Sequence, residues 1–268
     1  MTVNAEVRGE KRLAQTCYGF RHSLIIERFI LKNLQELCPQ YKNARLEKLQ
    51  LLNFVFAEMD PPCRSFADLG GNWNVDGCYT HFALDHYDIE RAFLVDTDFS
   101  DSTIERSKSY KNLQVVRGNF GDASTIDAIG SVDVIFLFDV LLHQVRPNWD
   151  EILRLYSTKT KVMAIYNQQF TNFQSTTRLL DLGWDEYFAN VPHTREEYAT
   201  LLQKTNEIHP IHNRPYRDLH NYWQWAITDD DLIATARRLG FSLGYYANCG
   251  QFGNLPQCEE HAFIFSSR

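Results

Sequence analysis

Residues 65–77 read SFADLGGNWNVDG. Phe66, Ala67 and Leu69 mark a short buried strand, Asp68 stands near its end, and Gly70-Gly71 break it into a turn. Glycine has no Cβ, so a turn built this way lets backbone approach a ligand closely. The next strand is expected at 91–95 and ends on Asp96. A strand, a glycine turn, a helix and a second strand tipped by an acid form the first half of a nucleotide-type site.

Upstream, Leu24, Ile25, Phe29, Ile30, Leu34 and Leu37 fall at helical spacing, and Pro39 stops that helix. A second helix is expected over about 44–58, with Leu46, Leu49, Leu52 and Phe56 on one face, closed by Pro61-Pro62. Residues 1–20 read as an arm or lid. Residues 1–62 thus form a helical unit that either covers an edge of the core sheet or caps the ligand site. Residues 63–268 form the main domain.

Downstream, strand and helix alternate. Helices are expected at 76–86, 101–109, 123–129 and 148–156. Strands are expected at 113–117, 132–138 and 161–166, as short apolar runs suited to a parallel sheet buried on both faces. Ser100 and the TDDD run at 228–231 are N-cap signals. The alternation breaks over 168–227 and resumes with a helix ending at Gly240. A last pair of strands at 241–246 and 261–266, joined by a polar loop, reads as an antiparallel hairpin at a sheet edge. The class is α/β, a Rossmann-like open sheet of seven strands with helices on both faces.

The 268 residues carry 27 basic and 34 acidic side chains, a formal charge of -7. No basic stripe is present, which disfavours a nucleic-acid partner. No apolar run reaches the roughly twenty residues of a membrane span, and the polar N-terminus carries no signal-peptide core. The six cysteines form no CxxC pair, which fits reduced thiols in a cytoplasmic protein.

FADLGG (66–71), AFLVDTD (92–98), VVRGNFGD (115–122), IFLFDVLLHQV (135–145) and TDDDLIATARRLGF (228–241) with HAFIFS (261–266) follow in order. Together they resemble the class I S-adenosylmethionine-dependent methyltransferases, and DLGGNW, FDVLLHQV, NQQF and WQWAITD resemble a bacterial subgroup of them. Members commonly carry an acid-x-Gly-x-Gly-x-Gly run. Here only Gly70 keeps its place, and Asn72 and Asn74 stand at the later glycine positions with Trp73 between them. Trp73 either packs on the core or closes over the methionine portion. A nicotinamide fold needs GxGxxG to seat a pyrophosphate, and GGNWNVDG lacks that spacing.

The resemblance implies S-adenosyl-L-methionine as cofactor and a Rossmann-like methyltransferase sheet with an N-terminal cap and a lid at 168–227. It places Asp68, Gly70 and Gly71 near the methionine part. Asp96, or less favourably Asp98, takes the ribose hydroxyls, Asn119 and Phe120 meet adenine, and Phe138, a further cofactor contact, ends strand four with Asp139, which emerges beside the sulfonium. Asp139 and His143 are the candidate catalytic residues; His143 serves as a base or caps a helix. Gln144, Asn167 and Gln168 face the acceptor, as Gln169 does, or satisfy loop amides. In the lid, Arg214, Tyr222 and Trp223 line an acceptor pocket or anchor the lid to the core. Asp139 and Asn167 partly imitate a divalent-cation site, but the acid such a site needs beside Asn167 is missing, so no metal is expected. The expected activity is methyl transfer to a small molecule at oxygen or nitrogen. A cofactor-binding regulator without turnover and a protein methyltransferase are the alternatives.

Overall fold

The computed structural model describes Tyr41 and residues 44–267. The helix expected over 23–37 lies outside the described residues. The first described helix, α1, is Leu46–Asn53 and runs into a wider turn at Phe54–Glu58. Then follow β1 Ser65–Leu69, α2 Cys78–His86, β2 Arg91–Asp96, α3 Asp101–Ser107 and β3 Leu113–Arg117. After α4 Ala123–Ile129 and β4 Val132–Phe138 come a single 3-10 turn at Leu141–His143 and α5 Trp149–Tyr156. β5 is Thr160–Phe170.

These elements start where local chemistry starts them. Ser100 Oγ accepts from the Thr103 amide at 3.2 Å to open α3. Asn148 and Glu151 form a reciprocal capping box on α5. Gly77, which the composition of its helix would count as a weak interior residue, instead stands just before α2 with φ +68°.

The sheet order is β3-β2-β1-β4-β5-β9-β8, where β8 is Phe241–Gln251 and β9 is Cys258–Ser267. β1 to β5 are parallel, and β9 inserts antiparallel between β5 and β8. The order reverses direction between β1 and β4, so a crevice opens at the carboxyl ends of those strands. Three strands are longer than their apolar runs suggest. β5 continues through Asn167, Gln168 and Gln169 because each pairs with β9, opposite His261, Glu260 and Glu259. β8 and β9 likewise extend into the polar segment that reads as a loop.

One apolar layer, with Ile135, Ile152, Leu232 and Phe265, lies under α5 and the helix α8 Asp229–Arg238. The other, with Leu52, Phe56, Phe66 and Phe136, holds α1 and α2. α1 therefore covers a face of the sheet. Between β5 and α8 the lid region holds a two-strand ladder of β6 Thr177–Arg178 and β7 Trp225–Ala226, with short helices α6 Trp184–Ala189 and α7 Ala199–Lys204. It has its own small core around Tyr187, Leu201, Tyr222 and Trp223, closed by Phe170 and Leu142.

Next to that lid, His261 of β9 is 3% exposed and held at both ring nitrogens. Nδ1 lies 2.8 Å from Asp229 Oδ1 and Nε2 lies 3.1 Å from Glu259 Oε2, while Tyr246 donates to the other Asp229 oxygen at 3.0 Å. Burial alone would lower the imidazole pKa, but Asp229 and then Glu259 outweigh it, so the pKa is raised. The protonated ring binds its proton more tightly folded than unfolded. Its contribution is complete below the unfolded value of about 6.5 and is lost as pH rises through the higher folded value. Thermal melts above neutrality should show this falling stability, and His261→Gln should flatten it.

Candidate functional site

Asp68 lies at the end of β1 and is 1% exposed. Its Oδ2 accepts from Thr80 Oγ1 of α2 at 2.7 Å. Burial pushes its pKa up to about 6, although the Thr80 hydrogen bond and the charge of Lys48 act downward. The turn beyond it folds back on the carboxyl group. A Cβ at Gly71 would fall inside 3.0 Å of the carboxyl carbon and both oxygens of Asp68. Gly70 has φ +79°, its amide donates to the Val95 carbonyl at 2.8 Å, and a Cβ there would lie 2.6 Å from Val140. Both glycines are needed, one for space and one for space and dihedral.

The acid that ends β2 organises the same turn. Asp96 Oδ2 accepts from the amides of Asn72 and Trp73 at 3.0 and 3.2 Å, and Oδ1 from the Thr97 amide at 2.7 Å. Asn74 has φ +59°, so it keeps a left-handed conformation at a position where a glycine is common. Asparagine tolerates that region better than most residues. Trp73 is 74% exposed and does not pack on the core, which removes one of its two expected placements. Asn72 Oδ1 is buried and has no hydrogen-bond partner among the described residues. Asp98 instead pairs with Arg117.

After β3, Asn119 Oδ1 accepts from the Gly121 amide at 2.8 Å. The buried Phe120 ring reaches to 3.6 Å from the Cβ position of Gly70, so the turns after β1 and β3 meet. Tyr156 fixes that turn by donating to the Phe120 carbonyl at 2.7 Å.

Asp139, past the end of β4, has φ +59° and its amide donates to the Tyr166 carbonyl at 2.7 Å. This left-handed bend carries its carboxylate across the strand ends. One oxygen forms an ion pair with Lys48 of α1, and the other accepts from Gln168 Nε2 at 2.9 Å. Lys48 is 4% exposed, and its ammonium lies 5.3, 5.7 and 5.1 Å from the ring centres of Tyr79, Phe138 and Tyr166. Such placement over aromatic faces is attractive for a cation. Beside it, Arg45 lies 5.7 Å from the Tyr166 ring centre and pairs with Glu260 of β9.

The remaining expected site residues divide between two faces of the sheet. Asn167 and Gln168 are neighbours on a strand and point opposite ways. Gln168 joins Asp139, whereas Asn167 accepts from the Leu142 amide at 3.4 Å and steadies the 3-10 turn. Gln144 is 3% exposed; its Nε2 donates to the Val140 carbonyl at 3.1 Å. His143 Nδ1 lies 2.8 Å from the Tyr222 carbonyl, which makes Nδ1 the protonated nitrogen of the neutral ring, and burial lowers its pKa. The rings of Tyr222 and Trp223 are buried in the lid core, with Trp223 edge-on to His143 at 6.3 Å. Arg214 donates to the Val145 carbonyl at 3.3 Å.

Lys48 and Tyr166 belong to the strand-end cluster and have no motif. A signal for Lys48 exists all the same. It shares the buried stripe of Leu51, Leu52 and Val55 at helical spacing, where a lysine is out of place unless something pairs with it.

No protein-family model matches the chain, and no curated protein matches it in sequence. Solved structures do match in shape. The 1,6-didemethyltoxoflavin-N1-methyltransferase of Burkholderia thailandensis, bound to 1,6-didemethyltoxoflavin and S-adenosylhomocysteine, aligns with TM-score 0.52 and 10% identity over 92% of this chain and 88% of that one. The N-terminal domain of EvdMO1, crystallised with S-adenosylhomocysteine and D-fucose, aligns with TM-score 0.51 and 11% identity over 90% and 97%. The magnesium protoporphyrin IX methyltransferase ChlM of Synechocystis PCC 6803, with bound S-adenosylmethionine, aligns with TM-score 0.50 and 8% identity over 82% and 78%. With its sheet order, terminal antiparallel hairpin and acid-tipped β1 and β2, this chain has the Rossmann-like fold of the class I methyltransferases.

Proposed function

We propose that the protein is an S-adenosylmethionine-dependent methyltransferase acting on a small-molecule acceptor at oxygen or nitrogen. The observation that carries this reading is the paired acids Asp68 and Asp96 at the ends of adjacent parallel strands, joined by one glycine turn.

The residues present fit the cofactor. The Gly70-Gly71 turn packs its bare backbone directly against Asp68 and Val140, where a Cβ would collide, and Asn72 Oδ1 is a buried acceptor with no partner among the described residues. Asp68, Gly70 and Gly71 would hold the methionine part, Asp96 the ribose hydroxyls, and Asn119 and Phe120 the adenine, with Phe138 as a wall. When bound, S-adenosylmethionine supplies an electrophilic methyl group to a nucleophile placed in line with it. Asp139 and His143 stand at the acceptor end. Positioning does much of the work in such a reaction, because correctly placed reactants avoid most of the entropic barrier. The segment 168–227 covers that end and selects the acceptor. Among the described residues no helix is long and apolar enough to cross a membrane. The free thiols of Cys63, Cys78, Cys249 and Cys258 suit a reducing cytoplasm.

Calorimetric titration with S-adenosylhomocysteine tests the reading. Saturable binding is expected, and none at near-millimolar ligand would refute it. The pH dependence is a second check. Asp68 attracts the ligand's ammonium only when ionised, and its pKa is pushed up to about 6. Affinity should therefore hold above that value and fall as pH drops through it. Asp68→Asn should bind weakly and without this dependence.

A further inference from the structure

α1 brings a cation, Lys48, to the ends of β1 and β4, where Asp68 and Asp139 stand. The two strands are neighbours in the sheet, with Asp68 opposite Phe136. The turns after them touch, since a Cβ at Gly70 would lie 2.6 Å from Val140 Cγ1. Asp139 directly precedes Val140, and its side chain is 34% exposed. Lys48 pairs with one of its oxygens and is itself 4% exposed, while Gln168 Nε2 holds the other oxygen at 2.9 Å. Asp68 senses the same cation, whose charge draws its pKa down against the effect of burial. The other cation close by, Arg45, is paired with Glu260, and burial favours the neutral form of His143. Lys48 therefore supplies the counter-charge of Asp139 among the described residues.

We propose, resting on the methyltransferase reading above, that Lys48 is a positioning residue that sets how strongly the site prefers S-adenosylmethionine over S-adenosylhomocysteine. The two ligands share their hydrogen-bonding groups and differ by one methyl group and one positive charge on sulfur. In that reading Asp68 takes the methionine part and Asp139 stands at the acceptor end, so the sulfonium lies between two acids. A lone carboxylate there would favour the charged cofactor over its neutral product. Asp139 is not alone. Gln168 and Lys48 fix its carboxylate, and Lys48 cancels most of its charge, so cofactor and product are held with similar strength.

Lys48 touches no ligand atom in this arrangement. It acts through Asp139 and through its own field, which reaches several ångströms where the effective dielectric constant is about 20. The rings of Tyr79, Phe138 and Tyr166 hold the ammonium in place, so the compensating charge is fixed rather than swept over a range of rotamers. Its burial also limits screening by salt. A lysine with only a packing role would act differently, because its loss would weaken both ligands in parallel and leave their ratio alone.

Calorimetric titration with each ligand at neutral pH measures that ratio. Lys48→Met leaves Asp139 uncompensated, so the affinity for S-adenosylmethionine relative to S-adenosylhomocysteine should rise by ~5-fold or more. Asp139→Asn leaves Lys48 uncompensated, and the ratio should fall by ~5-fold or more. The double variant Lys48→Met/Asp139→Asn removes both charges and should return the ratio to within about twofold of the wild type. A ratio that stays put in both single variants, or moves the same way in both, would overturn the proposal. Binding of both ligands with an unmoved ratio sinks the role of Lys48 alone, and absence of binding by the wild-type protein sinks the methyltransferase reading with it. Should Lys48→Met fail to fold, Asp139→Asn decides, since it keeps the side chain's shape and removes only its charge. Its ratio must then fall.

Discussion

Asp96→Ala is expected to weaken S-adenosylhomocysteine binding by roughly a hundredfold or more. Two hydrogen bonds from ribose hydroxyls to a carboxylate contribute about 1.5–3 kcal/mol each, and a factor of ten is about 1.4 kcal/mol. The same carboxylate also holds the Asn72 and Trp73 amides, so its loss frees the turn that we propose cradles the methionine end. The two effects fall on one ligand and add in the same direction. Asp98→Ala is the comparison. Asp98 faces solvent with 86% of its side chain exposed and pairs with Arg117, so its removal should change affinity by no more than about twofold. Isothermal titration of both variants checks the pair. Equal losses in the two would remove Asp96 from its assigned place.

Gly71→Ala should cost about 2–4 kcal/mol of stability and abolish cofactor binding together. The reason is crowding alone. Gly71 does not share the positive φ of Gly70, so alanine could adopt its backbone. Its methyl group, however, would overlap the carboxyl carbon and both oxygens of Asp68. Asp68 cannot step aside cheaply, because it is buried and its hydrogen bond to Thr80 would break. Gly130→Ala isolates the other effect. Gly130 has φ +66° and ψ −139°, a conformation close to glycine's own, but nothing within 4 Å of its Cβ position, so it should lose about 1–3 kcal/mol to backbone strain while ligand binding survives. Urea unfolding of the two variants distinguishes crowding from backbone strain.

Sequence reading succeeds here where the cause is local. The strands at β1, β3 and β4 and the helix α4 coincide with their expected spans, because apolar runs, caps and glycines act within a few residues. The spacing of the five motifs also carried the class of fold that the structural relatives share. Length was misjudged for β5, β8 and β9. Polar residues such as Asn167-Gln168-Gln169 do not resemble a strand by themselves. They become one because β9, almost a hundred residues later, offers its edge and completes their backbone hydrogen bonds. Trp73 shows the opposite limit. Its ring is large and apolar, yet the turn fixed by Asp96 points it to solvent.

By itself the sequence determined the order of strands and helices outside 168–227, the glycine turn and the acids that tip β1 and β2, whereas β6, α6, α7 and β7 of the lid were not legible in it. Each depends on dihedral preference, periodicity or spacing along the chain. Tertiary structure alone decided which side chains share the site. It set Lys48 among Tyr79, Phe138 and Tyr166 and against Asp139, and it parted Asn167 from Gln168 across the sheet. Those relations come from packing α1 over the strand ends and from the pleat of β5. They join residues up to about 120 positions apart, between which no local rule of spacing acts.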